Sequence, residues 1–182
     1  MLYIMRHGRT DWNERNKLQG RTDIPLNAAG RKMAEEAAAV YKNVPLDVCY
    51  CSPLARARQT AEIFLKKRNI PIITDDRLVE MSFGIYEGTE QSARALDCPI
   101  NILFKEPEKY KAVEGGESIE KLFERTGDFL RNVVEPQLED GKNIVIIGHG
   151  AMNSGIICQV RGLSTEHFWD AGINQCELLQ LK

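Results

Sequence analysis

NIVIIGHGAMNSGIICQV, residues 143–160, runs for 18 positions without an Asp, Glu, Lys or Arg. Its first part is a short apolar run, Ile144 to Ile147, that stops at Gly148-His149-Gly150. Its second part keeps Asn153, Ser154 and Gln159 among the apolar residues, which is too polar for a membrane span of about 20 apolar residues. The stretch reads as a buried strand followed by a helix. The same pairing recurs outward from it. Residues 2–5 form an apolar run that ends abruptly at a charged, glycine-containing turn, and Asn27 is placed to cap a helix through Met33, Ala37, Val40 and Tyr41. Residues 46–51 are a further apolar run, after which Ser52-Pro53 offers a cap and a first-turn proline. The helix expected there carries Leu54, Ala57, Ala61, Phe64 and Leu65 on one stripe, with Arg56 and Arg58 off it. Residues 70–74 suit a short strand, 118–134 an amphipathic helix and 176–181 a last strand. Strands alternating with helices predict an α/β fold, a three-layer sandwich with a mainly parallel central sheet. Residues 88–114, with Cys98-Pro99 and Glu106-Pro107 around a few apolar residues, break the alternation. They are expected to be a small inserted lid within a single domain spanning 1–182.

The chain has 182 residues, and its 24 Lys plus Arg nearly balance 26 Asp plus Glu, for a formal charge of −2. That balance argues against a nucleic-acid coat or a polybasic membrane binder, so neither nucleic acid nor membrane is an expected partner. The apolar start is only five residues long before Arg6, too short for a signal-peptide core. The five cysteines are scattered and form no C-x-x-C or zinc spacing, and Cys49 and Cys51 would share one face of a strand. Reduced thiols and a cytoplasmic location are expected, with no metal and no cofactor.

The chemistry gathers where the strands end. The first strand ends in Arg6-His7-Gly8, the second precedes a helix with Arg56 in its first turn, and the third ends in Gly148-His149-Gly150. In an open α/β sheet, ligands bind outside the carboxyl ends of the strands. Two histidines and two arginines are thus delivered to one edge, beside helix N-termini that favour anions. Two guanidiniums offer planar donors for phosphate oxygens, and nearby cations disfavour a protonated imidazole. Such a cluster suits a phosphoryl group, whose charge is spread over three oxygens. The glycines beside both histidines are expected to let the backbone approach whatever binds.

These residues resemble the histidine phosphatase superfamily, also called phosphoglycerate mutase-like. The resemblance runs through Arg6-His7-Gly8 with Thr10, Trp12 and Asn13, through Gln19-Gly20-Arg21-Thr22-Asp23-Ile24-Pro25-Leu26, and through Ser52-Pro53-Leu54-Ala55-Arg56-Ala57-Arg58-Gln59-Thr60-Ala61. It continues with Glu80, Phe83-Gly84, Tyr86-Glu87-Gly88 and Gly116-Glu117-Ser118, and closes on Gly148-His149-Gly150. The resemblance implies that His7 takes the phosphoryl group as phosphohistidine. It also implies that Arg6, Arg56 and His149 hold the phosphoryl oxygens, with Asn13 and Gln19 as further polar contacts. Glu80 would give a proton to the departing alcohol and then activate water; family position, more than local physics, selects it over Glu87. Trp12 reads as packing support and His167 as a surface or structural residue. Arg9 departs from the acidic or neutral polar residue usual after the RHG triplet. It would either favour a more anionic substrate or pair with Asp11 or Glu14.

Cofactor-dependent mutases of this superfamily are longer and carry a basic, glycine- and asparagine-containing segment that residues 88–114 do not match. The resemblance is therefore to the phosphatase branch, which includes broad-specificity and α-ribazole-5′-phosphate phosphatases. The expected partner is a small phosphomonoester. The alternatives are mutase-type transfer and a phosphate-binding regulatory module without turnover. Specificity is expected from Ile100, Ile102, Leu103, Phe104 and Tyr110, together with residues near His167.

Overall fold

The computed structural model describes residues 1–182, in which strands and helices alternate. In chain order they are β1 (Leu2–Arg6), α1 (Asp11–Glu14), α2 (Ala28–Val40), β2 (Val48–Cys51), α3 (Ala55–Leu65) and β3 (Ile72–Thr74). There follow α4 (Ile100–Lys105), α5 (Ile119–Phe129), α6 (Glu135–Glu139), β4 (Ile144–Gly148), α7 (Gly150–Arg161) and β5 (Leu178–Gln180). The sheet order is β3-β2-β4-β1-β5. All neighbouring pairs are parallel except β5, which runs antiparallel to β1. This is the expected α/β architecture with a mainly parallel sheet.

Successive side chains of a strand point to opposite faces, so each central strand feeds two cores. Tyr3, Met5, Cys49, Cys51, Val145 and Ile147 pack with Ala34 and Ala37 of α2 and with Ala61, Phe64 and Leu65 of α3. Leu2, Ile4, Val48, Tyr50, Ile144 and Ile146 pack with Leu122 and Phe129 of α5 and with Met152 and Ile156 of α7. Cys49 and Cys51 therefore do share a face, and all five cysteines are free. No helix is long and apolar enough to cross a membrane.

Local starts follow side-chain chemistry, with two differences from expectation. Asn27 caps α2, its Oδ1 accepting from Gly30 N at 2.9 Å, and Ser118 caps α5 by accepting from Lys121 N at 3.2 Å. Ser52 does not cap α3. The helix begins only at Ala55, because Leu54 stays extended, and the first amide is taken by Asp23 Oδ1 at 2.7 Å. That carboxylate comes from a loop 32 residues upstream. The second difference is in residues 118–134, where the regular ladder stops at Phe129 and widens to a π-turn over Leu130–Val134 before α6. Pro136 has no N–H to offer an ordinary helical ladder, which accounts for the widening just ahead of it.

Residues 88–114 are tied down by Ile100 and Leu103 of α4, both fully buried, while Phe104 stays 41% exposed. The Trp169 indole N–H donates to Leu103 O at 2.6 Å, so this segment is fastened to the far end of the chain.

Candidate active site

Register puts the two histidines side by side. Arg6 of β1 pairs with Gly148 of β4, so His7 and His149 leave adjacent parallel strands at one level. Their ring centroids are 5.2 Å apart, nearly edge to face. His7 Nδ1 lies 2.7 Å from Gly8 O. A carbonyl only accepts, so Nδ1 carries the hydrogen and Nε2 keeps its lone pair. Arg56, in the first turn of α3, is completely buried. It donates through Nη1 to Thr22 O (2.9 Å) and through Nη2 to Gly20 O (2.7 Å). The Nε atoms of Arg6 and Arg56 and both ring nitrogens of His149 are buried with no partner in the protein. Buried polar atoms are normally hydrogen-bonded, so this concentration at one place marks donors and acceptors kept for a ligand.

The electrostatics follow from burial among cations. Burial first, then Arg56 and Arg6, hold the His7 imidazole well below its usual pKa. His149 is lowered in the same way by burial, then by Arg56, His7 and Arg6. Burial lowers Arg56 to about 10, which leaves it a cation at neutral pH, and lowers Arg6 against the pull of Glu80. Both imidazoles are therefore neutral in the folded protein at pH 7.

Glu80 and Glu87 are sorted by their partners. Glu80 is buried and accepts from Met81 N (2.8 Å), Ala151 N (3.2 Å) and Met152 N (2.9 Å). It thereby caps α7, whose preceding residue His149 makes no side-chain cap. Glu87 instead staples a loop, accepting from Arg21 N, Thr22 N, Thr22 Oγ1 and Phe83 N. Gly20, at φ +54°, is required beneath it, since a Cβ there would stand 2.0 Å from Glu87 Oε1. Asn13 Oδ1 is occupied by Thr10 N and by Gln175 Nε2 (2.8 Å), and Gln19 Oε1 lies 2.8 Å from the Thr10 hydroxyl. Both carboxamides thus keep their NH₂ groups for the cavity they line.

That cavity has a volume of about 260 Å³. Arg6, His7, Asn13, Gln19, Arg56 and Glu80 all line it, and Glu80 is its only acid. His149 is within reach through its ring contact with His7 and lines a smaller adjoining hollow with Arg6. No three His, Cys, Asp or Glu side chains come together in a metal-holding group. Of the five residues expected to set specificity, Phe104 alone lines the cavity. Ile100, Leu103 and Tyr110 are spent on the core. Trp169, two residues past His167, does reach the cavity and stacks on Phe104 at 5.4 Å. His167 itself pairs with Asp170 on the surface.

Two glycine expectations change. Gly8 is needed for packing, because a Cβ there would meet Gly30 O at 2.6 Å, and Gly148, at the end of β4, is crowded by Met152 of the following helix α7. Only Gly150 opens toward Glu80 and Arg6.

Three features escaped the sequence reading. Thr60 joins α3 to the RHG turn, accepting from Gly8 N at 3.0 Å and donating to Arg56 O at 2.7 Å. Arg21, its side chain half exposed, donates to Glu80 O (3.3 Å) and Glu117 (3.2 Å). Glu117 is also gripped by Arg125 through two bonds of 2.8 and 2.9 Å, and Arg125 reaches Arg77 O. The Gly116-Glu117-Ser118 motif thus fixes the loop bearing Glu80, a link visible only once the fold joins segments far apart in sequence.

The buried imidazoles make stability depend on acid. Below the usual histidine value of 6.5, the unfolded chain takes up protons that folded His7 and His149 refuse. Their contribution is complete above that pH and declines as pH falls, by about 1.4 kcal/mol per unit per histidine, until the lowered folded values are reached. Urea unfolding between pH 6.5 and 5 should therefore show a shallower pH slope in His149→Gln than in the parent, by about that amount. Equal slopes would contradict a neutral, buried His149.

The strand tips of this α/β sheet thus gather His7, Arg6 and Arg56 around one cavity, with His149 against His7 beside it, a set of lone pairs and donors whose chemistry suits a tetrahedral oxyanion. The family model of the histidine phosphatase superfamily (branch 1) matches residues 2–182, and the chain belongs to that superfamily. It is 34% identical over 173 residues to the uncharacterized phosphatase PhoE of Bacillus subtilis (strain 168), covering 95% of this chain and 83% of that protein. It is 31% identical over 169 residues to a 2,3-bisphosphoglycerate-dependent phosphoglycerate mutase of Cytophaga hutchinsonii, covering 91% and 79%. The solved structure of Bacillus stearothermophilus YhfR matches with a TM-score of 0.87 at 28% identity, covering 97% of this chain and 88% of that one.

Proposed function

We propose that the chain is a metal-independent phosphomonoesterase that hydrolyses a small phosphorylated metabolite through a phosphohistidine on His7. The observation that carries this reading is the 2.7 Å contact of His7 Nδ1 with Gly8 O, which leaves Nε2 as an unprotonated nucleophile between two cations. In the first step the Nε2 lone pair forms a bond to phosphorus, and the phosphorus–alcohol bond breaks with its electron pair going to oxygen. Glu80 protonates that oxygen. In the second step Glu80 takes a proton from water, the water oxygen bonds to phosphorus, and the phosphorus–Nε2 bond breaks to return neutral His7 and phosphate. Arg6, Arg56, His149, Asn13 and Gln19 bind the phosphoryl oxygens. Splitting the transfer into two steps replaces one difficult displacement with two easier ones, and fixed cations stabilise the charge developing on the oxygens.

Release of phosphate from an aryl phosphate tests the reading. Turnover unaffected by a chelator, with transient acid-labile phosphate on the chain, is the expected result. Turnover abolished by a chelator excludes the mechanism. Exchange between phosphoglycerate isomers that outpaces hydrolysis would assign the chain to mutase-type transfer instead. Phosphate binding without turnover would make it a regulatory module.

A further inference from the structure

Beside the catalytic cavity lies an open groove of about 680 Å³ whose lining includes Arg6, Arg9, Asn13, Lys17 and Gln175, with Glu14 as its only acid. Arg6, Asn13 and Lys17 line both spaces, so groove and cavity share a wall. Arg9 makes no ion pair with Asp11 or Glu14, although both are close in sequence; its Nε meets only Gln175 Oε1, at 3.5 Å. Gln175 in turn donates to Asn13 Oδ1 at 2.8 Å, tying the groove cation to a residue that lines the cavity. Lys17 is held over the Trp12 ring at 5.8 Å and reaches a carboxylate, Glu90, only at 4.0 Å. Two non-glycine residues with left-handed backbone flank the groove: Asn16 at φ 50° and Cys176, next to Gln175, at φ 59°. Such conformations cost free energy and concentrate at functional sites.

Three cations against one carboxylate, with amide donors between them, make a receptor for an oxyanion. We propose that this groove is a second anion subsite: the substrate's alcohol portion carries a carboxylate or a second phosphate, which Arg9 and Lys17 bind while the reacting phosphoryl group sits against His7. The proposal rests on the phosphatase reading above and narrows its substrate to doubly anionic phosphomonoesters. Charge at the groove also raises the local concentration of such esters.

The test compares kcat/KM for n-butyl phosphate, its ω-carboxylate and its ω-phosphate, with an aryl phosphate run alongside to show that catalysis is present. The parent protein should favour one of the doubly anionic esters over n-butyl phosphate by about tenfold, the scale of two partly exposed charge-assisted contacts. Which of the two it favours identifies the anion. Arg9→Gln and Lys17→Met should each reduce that ratio, and together should bring it near unity; raising ionic strength should shrink it in the parent. No preference in the parent, or a preference that survives the double substitution, overturns the subsite while leaving the phosphatase reading intact. Failure to hydrolyse any ester, the aryl phosphate included, removes that reading and the subsite with it.

Discussion

Replacing His7 by Ala is expected to lower phosphate release from an aryl phosphate by on the order of 10⁴-fold or more, and to leave no acid-labile phosphate on the chain. The size follows from what the side chain supplies. Arg6 and Arg56 would still attract the phosphoryl oxygens, so binding should survive better than turnover. What disappears is the Nε2 lone pair of His7, which burial and the neighbouring guanidiniums keep unprotonated. KM should therefore change much less than kcat, and inorganic phosphate should still compete for the site. A His7→Ala protein that retains more than about a hundredth of the parental kcat would mean that water attacks directly, and the covalent step would have to be abandoned.

How far such roles can be read from sequence depends on whether a residue's partners lie near it in the chain. The strand tips were legible because apolar runs that stop at Arg6-His7-Gly8 and Gly148-His149-Gly150 need only a parallel sheet to become neighbours, and β1 and β4 pair in that register. The alternation of Cys49 and Cys51 was legible for the same reason. Arg56 was legible only in part. Its place at the site's edge was readable from the helix start, but its complete burial was not, because that depends on Gly20 and Thr22 carbonyls from a distant loop that receive its guanidinium. The start of α3 misled for a related reason: Ser52 has the right chemistry for a cap, but the capping carboxylate is Asp23. Glu80 was selected more by resemblance than by local physics. Nothing local to it announces that its carboxylate faces the amides of Ala151 and Met152, some seventy residues further on. Lys17 and Trp169 left no signal of their own, since a lone lysine or tryptophan is more often surface or packing than ligand.

The carboxylate offers the second large effect. Glu80→Gln keeps the side chain's size and one oxygen to accept from the α7 amides, but removes the group that would give and later take a proton. A general acid or base contributes typically about 10²- to 10⁴-fold, so hydrolysis of an alkyl phosphate should fall by about that factor. The loss should depend on the leaving group. An alkoxide needs its proton as the phosphorus–oxygen bond breaks, whereas 4-nitrophenolate departs unaided, so the first step with an aryl ester should be far less affected. The second step still needs a base to deprotonate water. With 4-nitrophenyl phosphate, Glu80→Gln should therefore release one rapid equivalent of nitrophenolate and then stall, with acid-labile phosphate held on His7. Glu87→Gln is the informative control: its carboxylate is committed to Arg21, Thr22 and Phe83, so its loss should loosen that loop without trapping a phosphorylated chain. If Glu80→Gln slows alkyl and aryl esters equally and traps nothing, the proton is moved by another group. If Glu87→Gln shows the burst instead, the two glutamates must exchange roles, and the capping bonds of Glu80 to α7 would then be purely structural.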